Sequence, residues 1–233
     1  MANQIFKLQV LYEDNHIIAV NKPAGVPVQG DSSGDMPLLD IVMDYIKVKY
    51  NKPGKVYLGL VHRVDRPVSG VVLFAKTSKA LVRLNEMFQN RQVKKTYWAV
   101  VGNQPEELSG TLENYLLKDT VKNKSHASNK SGKGAKKATL YYELIGRSNK
   151  YCLLHVDLQT GRHHQIRCQL AKIGCPIRGD LKYGAPRSNP DAGINLHSLK
   201  VEFEHPVTKL PISIMAPLPA NDNLWNEFKN LIE

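Results

Sequence analysis

Cysteine is scarce in this sequence. Cys152, Cys168 and Cys175 form no C-x-x-C pair, and an odd number of thiols cannot close a disulfide framework. They suit a reducing compartment, where buried thiols behave as small apolar side chains. Long apolar runs are missing too, and no window approaches the roughly 20 residues that span a bilayer. Residues 1–13 lack a basic start followed by an apolar stretch, so no secretory leader is expected and a cytoplasmic protein is predicted. G-x-S-x-G, G-x-x-x-x-G-K-[ST], G-x-G-x-x-G and the zinc spacings are all absent. Nucleophile-elbow hydrolases, P-loop enzymes and dinucleotide-binding folds therefore find no support, and no metal site is expected. Acidic side chains are in deficit, 21 Asp plus Glu against 32 Lys plus Arg, for a net charge of +11. A field of that sign attracts polyanions, of which nucleic acid is the commonest in a cell.

What remains is a chain of 233 residues, 42% hydrophobic and 23% charged, which is enough to bury a core as one large domain. Residues 8–12 and 17–20 read as short strands around the turn Glu13-Asp14-Asn15. Leu38, Leu39, Ile41, Val42, Tyr45 and Ile46 recur at helical spacing and predict an amphipathic helix over about 37–48. The run Gly70-Val71-Val72-Leu73-Phe74-Ala75 is too short and too β-branched for a helix and reads as a buried strand. Thr77 or Ser78 then caps a helix with Leu81, Leu84, Met87 and Phe88 on one face. Strands follow at 96–101, 139–144 and 151–158. A helix is predicted over 162–173, closed by Gly174 with Pro176 just beyond. No steady βαβ rhythm is present, so the expected class is α+β with a mixed, mostly antiparallel sheet flanked by helices and loops.

Residues 118–137 stand apart. Seven lysines and one acid, Asp119, give +6 in 20 residues. Such a segment cannot bury enough apolar area to offset its chain entropy, and it is expected to be a flexible basic loop.

Polar chemistry concentrates in three places. In His62-Arg63-Val64-Asp65-Arg66-Pro67-Val68-Ser69-Gly70, a carboxylate flanked by two arginines is expected to be ionised and oriented by them. In Gln159-Thr160-Gly161-Arg162-His163-His164-Gln165-Ile166-Arg167, Ile166, Leu170 and Ile173 share a core-facing stripe, and His163 and Arg167 are expected one turn apart on an adjacent face. The third is Lys95-Thr96-Tyr97-Trp98, where alternation sends Tyr97 and Trp98 to opposite sheet faces. An ordinary glycosidase presents two carboxylates to the bond it cleaves, whereas these segments offer Asp65 alone.

Taken together and in order, these segments resemble the RluA family of RNA pseudouridine synthases. His62-Arg63-Val64-Asp65-x-x-Val68-Ser69-Gly70 is similar to the family's H-R-L-D-x-x-T-S-G signature. Val20-Asn21-Lys22-Pro23-Ala24-Gly25 resembles its N-terminal block, Lys95-x-Tyr97-x-Ala99-x-Val101 its tyrosine block, and Thr160-Gly161-Arg162-His163-His164-Gln165-Ile166-Arg167 with Gly174-x-Pro176-Ile177-x-Gly179-Asp180 and Tyr183-Gly184 its C-terminal block. His197, Leu199 and His205-Pro206 match the tail. The blocks span about 8–215. Val64, Val68, His163 and Cys168-Gln169 depart from the pattern, which has Leu, Thr, Thr and Val-His there.

The resemblance implies a single pseudouridine synthase domain over 1–233, without the S4-type RNA-binding domain that many relatives carry. It implies isomerisation of uridine in ribosomal or transfer RNA, with no cofactor. Asp65 would act at the ribose, by attack on the anomeric carbon or removal of the neighbouring 2′ proton. Arg167 would pair with Asp65, and Tyr97 would stack on the base and later take the carbon 5 proton. Arg63 would fill the gap left by the extruded uridine. His62, Ile166, Arg162 and Lys22 are the further expected substrate contacts, and the enzyme is expected to be a monomer. A non-catalytic RNA binder of the same fold and a nucleoside hydrolase are the rivals. A pure binder needs no Asp–Tyr–Arg trio, and a hydrolase leaves the lysine-rich segment without a role.

Overall fold

The structure, a computed structural model, describes residues 7–220 and 222–232; residues 1–6, 221 and 233 of the expected domain lie outside the described residues. In chain order the elements are strands β1 (Gln9–Glu13) and β2 (Ile17–Lys22), helix α1 (Leu38–Lys49), β3 (Gly59–Leu60), β4 (Ser69–Ala75), α2 (Ser78–Gln89), β5 (Lys94–Val101), β6 (Ser109–Asp119), β7 (Lys124–Ser128), β8 (Lys136–Arg147), β9 (Cys152–Leu158), α3 (Gln165–Lys172), a 3-10 turn (Leu181–Tyr183), β10 (Leu196–Glu204), β11 (Pro211–Met215) and α4 (Asn223–Ile232). The strands form one sheet in the order β1-β2-β4-β10-β5-β9-β8-β6-β7, with β3 added on β4 and β11 on β10. Among the described residues every pairing is antiparallel except β4 with β10, so the α+β, mostly antiparallel expectation holds. Among those residues no helix is long and apolar enough to cross a membrane.

Strand β4 explains the apolar run. Val72 and Phe74 point into a core closed by Leu38, Val42 and Ile46 of α1 and by Ile166 and Leu170 of α3. Val71 and Leu73 point the other way, onto Ala80 and Leu84 of α2. A strand covered on both faces has no reason to alternate with polar residues. Thr77 starts α2 as expected, its hydroxyl accepting the Ala80 N–H at 3.2 Å.

At the head of β4, Gly70 has φ +111°, and a Cβ there would lie 2.2 Å from the Ser198 carbonyl oxygen. Only glycine lets β10 come this close. The approach also places Ser198 opposite Tyr97 of β5.

Two expectations are corrected. Residues 118–137 are not a loop throughout, because Lys118 and Asp119 end β6, 124–128 form β7 and Lys136 opens β8. The apolar area that this segment lacks is supplied from outside it. Leu116 and Ala138 pack with Cys168 of α3 and with Tyr183, and Asp119 accepts the Lys122 N–H at 2.9 Å to close the turn. The helix predicted over 162–173 begins only at Gln165, since His164 before it is left-handed, with φ 53°. Arg162 and His163 therefore belong to the preceding turn, and the expected helical pairing of His163 with Arg167 does not form.

Candidate active site

The three polar segments converge on one cleft of about 970 Å³, lined by Asp65, Tyr97, Arg167, His62, Arg63 and Arg162 among others. Its floor is the loop between β3 and β4. The Asp65 carbonyl accepts the Val68 N–H at 3.0 Å, the Arg66 carbonyl accepts Gly25 N–H at 2.9 Å, and the Pro67 carbonyl accepts Ile194 N–H at 3.0 Å. Its own internal turn and two separate stretches of chain, at Gly25 and Ile194, thus fix this loop, which suits a group that must not move.

Lys22 was an expected substrate contact, and the structure corrects that. Its side chain is fully buried, and Nζ donates to the carbonyls of Pro23, Val26 and Arg66 at 3.0, 2.9 and 3.0 Å. Burial pushes its pKa down to about 7, although Asp65 nearby favours the charged form. Lys22 holds the loop from beneath and lines no part of the cleft. Ile166 is likewise a core residue, 4% exposed and absent from the cleft wall.

The flanking arginines do not orient Asp65 either. Arg66 turns to Asp35 and Asp31, and Arg63 is exposed at the cleft rim. The partner is Arg167, 102 residues away, whose Nη1 donates to Asp65 Oδ2 at 3.2 Å. Arg167 is itself aimed by Asp180, an arrangement the sequence reading missed. Nε and Nη2 donate to the two Asp180 carboxylate oxygens at 2.7 and 2.8 Å. Such a bidentate pair fixes the guanidinium plane, leaving Nη1 for Asp65. Burial opposes the arginine's charge, but Asp180 and Asp65 outweigh it and raise its pKa. The guanidinium also lies 5.1 Å from the centre of the Tyr183 ring.

His164 is a second missed neighbour. Its Nε2 lies 3.6 Å from Asp65 Oδ2 and its Nδ1 3.0 Å from the Tyr183 hydroxyl. Burial, reinforced by Arg167, pushes its pKa down to about 2, so the ring is neutral. A neutral imidazole carries one N–H. Facing a carboxylate, that proton sits on Nε2, which leaves Nδ1 an acceptor for the Tyr183 hydroxyl, whose proton is shared with the Ser125 carbonyl at 3.2 Å. The Tyr183 oxygen in turn accepts the Ser125 N–H of β7 at 2.8 Å. His163 stacks on His164 with ring centres 3.8 Å apart and meets the Ser125 hydroxyl at 2.9 Å. The basic hairpin β6–β7 is thereby tied to the residues around Asp65.

Tyr97 closes the cleft from β5, 7% exposed, and burial pushes its phenol up to about 12. The phenol is therefore neutral, a form suited to stacking on a planar group. Trp98 faces the opposite side of the sheet, against the cluster of Val100, Leu153, Trp225 and Phe228. His62 stacks on Phe88 with ring centres 5.0 Å apart, and its Nε2 accepts the Leu73 N–H at 3.0 Å. Burial and then the nearby Lys95 push His62 down to about 3. Only the free part of its ring edge is left for a ligand. Arg162 is exposed on the far wall, its Nε donating to the Lys137 carbonyl at 3.1 Å. Among the described residues no group of three or more His, Cys, Asp or Glu side chains could hold a metal ion.

A cleft that holds the Arg167-bound Asp65 carboxylate, with Asp31 paired to Arg66 at its edge, a tyrosine and several cations suits chemistry on a nucleotide of a polyanion. Comparison with known proteins bears on which chemistry. A family model described as RNA pseudouridylate synthase matches residues 16–172. The chain is 36% identical over 218 residues to the ribosomal large subunit pseudouridine synthase C of Buchnera aphidicola subsp. Acyrthosiphon pisum, covering 90% of this chain and 67% of that protein. It is 30% identical over 236 residues to the tRNA pseudouridine synthase C of Vibrio cholerae, covering 94% and 93% of the two chains. The fold also matches the solved human RNA pseudouridylate synthase domain containing 4, with a TM-score of 0.78 at 23% identity over 96% of this chain and 92% of that one. A match running from β2 into α3, with such identities across almost the whole length, makes the chain a member of the RluA family of RNA pseudouridine synthases.

Proposed function

We propose that this RNA pseudouridine synthase acts on a uridine of ribosomal or transfer RNA, as a cytoplasmic monomer that uses no cofactor. Uridine and pseudouridine are isomers. The bond from N1 to the ribose breaks, the base turns, carbon 5 bonds to the same ribose carbon, carbon 5 loses its proton and N1 gains one. The balance closes without an oxidant, a reductant or water.

The observation that carries the reading is the Asp65 carboxylate on the cleft floor, held by Arg167 and 29% exposed. It is accessible to a ribose and has one fixed cationic neighbour. From there it acts at the sugar, either on the anomeric carbon or on the 2′ proton, and both routes start from the same position on the cleft floor. Tyr97 supplies the face on which the extruded base stacks. Its high pKa supports that role more directly than the abstraction of the carbon 5 proton. Arg63, exposed beside Asp65, is placed to fill the vacated position in the RNA helix, while Arg162 and the free edge of His62 bound the base pocket.

The test is release of tritium from carbon 5 of uridine in ribosomal and transfer RNA taken from cells that lack this protein, comparing wild type with Asp65→Asn. Release by the wild type alone in one of the two pools supports the reading and identifies the substrate class. Tight binding without release from either pool would replace the enzyme with a non-catalytic binder.

A further inference from the structure

The tyrosine block contains a cation that the reaction above does not use. Lys95 sits two residues before Tyr97 on β5, so the two side chains leave the same face of the sheet, and both line the cleft. Its ammonium lies 5.9 Å from the centre of the Phe88 ring and reaches the turn between β9 and α3. There Gly161 leaves room, since a Cβ at that residue would stand 4.0 Å from Lys95 Nζ. Of the other lysines near the site, Lys118 is exposed at the cleft's hairpin side, and two are partnered. Lys22 has three carbonyls, and Lys182 donates to the Asn123 carbonyl at 3.0 Å. Among the described residues, no carboxylate or carbonyl lies within hydrogen-bond or ion-pair distance of Lys95 Nζ. Burial pushes its pKa down to about 8.

A half-buried cation with no counter-charge is costly to keep. The cost is recovered when a ligand brings the missing anion into the cleft. Uracil offers carbonyl dipoles but no full charge, and the Asp65 carboxylate is already engaged by Arg167. The nucleotide's own negative charge is on its phosphodiester. Resting on the RNA reading above, we propose that Lys95 is the residue inside the cleft that binds a phosphodiester flanking the extruded uridine. It grips the backbone at the nucleotide undergoing reaction from the same sheet face as Tyr97, whereas Lys118 of β6 meets the cleft from the opposite, hairpin side and is exposed. Phe88, its ring centre 5.9 Å from the ammonium, stands beside that contact.

The experiment measures binding, so it does not depend on turnover. A stem-loop containing the uridine found by tritium release is made in three forms, unmodified or with a single uncharged methylphosphonate on the 5′ or the 3′ side of that uridine. Dissociation constants are measured for the Asp65→Asn protein with Lys95 intact, with Lys95→Met and with Lys95→Arg. Loss of a charged hydrogen bond predicts about 10- to 100-fold weaker binding for Lys95→Met on unmodified RNA. Lys95→Arg should recover most of that loss. One of the two methylphosphonates should weaken the Lys95 protein to a similar degree and leave Lys95→Met with no further loss. If Lys95→Met binds unmodified RNA as tightly as the Lys95 protein, or if its loss multiplies with that of both methylphosphonates, the phosphate assignment is overturned. Failure to find any releasing RNA would instead overturn the uridine-isomerase reading, through the tritium assay alone.

Discussion

Asp180→Asn is the most informative perturbation of the site. Asp180 is 1% exposed and Arg167 5%, so their two bonds at 2.7 and 2.8 Å are shielded from water. An asparagine keeps one acceptor, turns an amide N–H toward a guanidinium N–H and removes the negative charge. Arg167 is left in the interior with only the longer contact to the partly solvated Asp65. Removing one partner of a buried pair costs about 3–5 kcal/mol. For a chain of this length each kcal/mol moves Tm by about 2–4 °C, so a fall of roughly 6–20 °C is expected in calorimetry. The freed guanidinium also rotates toward Asp65, and displacements near 1 Å cost about 100-fold in rate. Tritium release should therefore drop with RNA affinity little changed. The paired substitution Arg167→Met with Asp180→Leu separates the effects, because two apolar residues restore most of the stability and none of the activity. A Tm loss below about 2 °C for Asp180→Asn, or a double variant less stable than that single one, would refute the claim that Asp180 pins Arg167.

Three further outcomes follow from the same geometry. His164→Leu should lower kcat by less than about 10-fold with unchanged RNA affinity, since the N–H it removes faces Asp65 at 3.6 Å, beyond hydrogen-bond length; His164→Gln, which retains a donor at Nε2, should recover most of the loss in single-turnover assays. Lys22 has a folded pKa depressed to about 7 against an ordinary 10.5, so between pH 7 and about 10 the unfolded chain holds a proton that the folded one has released. Stability should rise with pH across that window by about 1 kcal/mol per unit, and urea midpoints for Lys22→Met should lack this part of the rise. Replacing Lys122, Lys130, Lys133 and Lys136 with glutamine should reduce the slope of log affinity against log salt by about 3 if the hairpin and the segment after it contact RNA phosphates; an unchanged slope would leave them a solvated surface.

Much of the fold was legible because its cues are local. The β4 run, the Thr77 cap and the stripe on α1 are each set by neighbours within a few residues. What stayed hidden depends on distant chain. The segment 118–137 looked too polar to order, yet Ser125 is 2% exposed because Tyr183 and α3 cover it. Helix α4 went unread, and its Leu224, Trp225 and Phe228 are justified only by Val100 and Leu153, the residues they cover. The start of α3 was misplaced because a left-handed histidine at 164 leaves no compositional mark, unlike glycine.

The candidate site divides in the same way. Asp65, Tyr97 and Arg167 were readable as chemistry, but the reason Asp65 is oriented was not. Arginines at 63 and 66 suggested that its own neighbours hold it, yet residues adjacent in a tight loop diverge, and here one goes to the rim and the other to Asp31 and Asp35. Side-chain exposure then orders the groups that do hold it, from 1% at Asp180 through 5% at Arg167 to 29% at Asp65. The two inner charges compensate each other away from water. The outermost carboxylate keeps solvent contact, at 29% exposure, on the cleft floor. On the proposed mechanism, placing Asp65 at the open end of a buried ionic chain lets one rigid scaffold orient it and still leave it accessible to substrate.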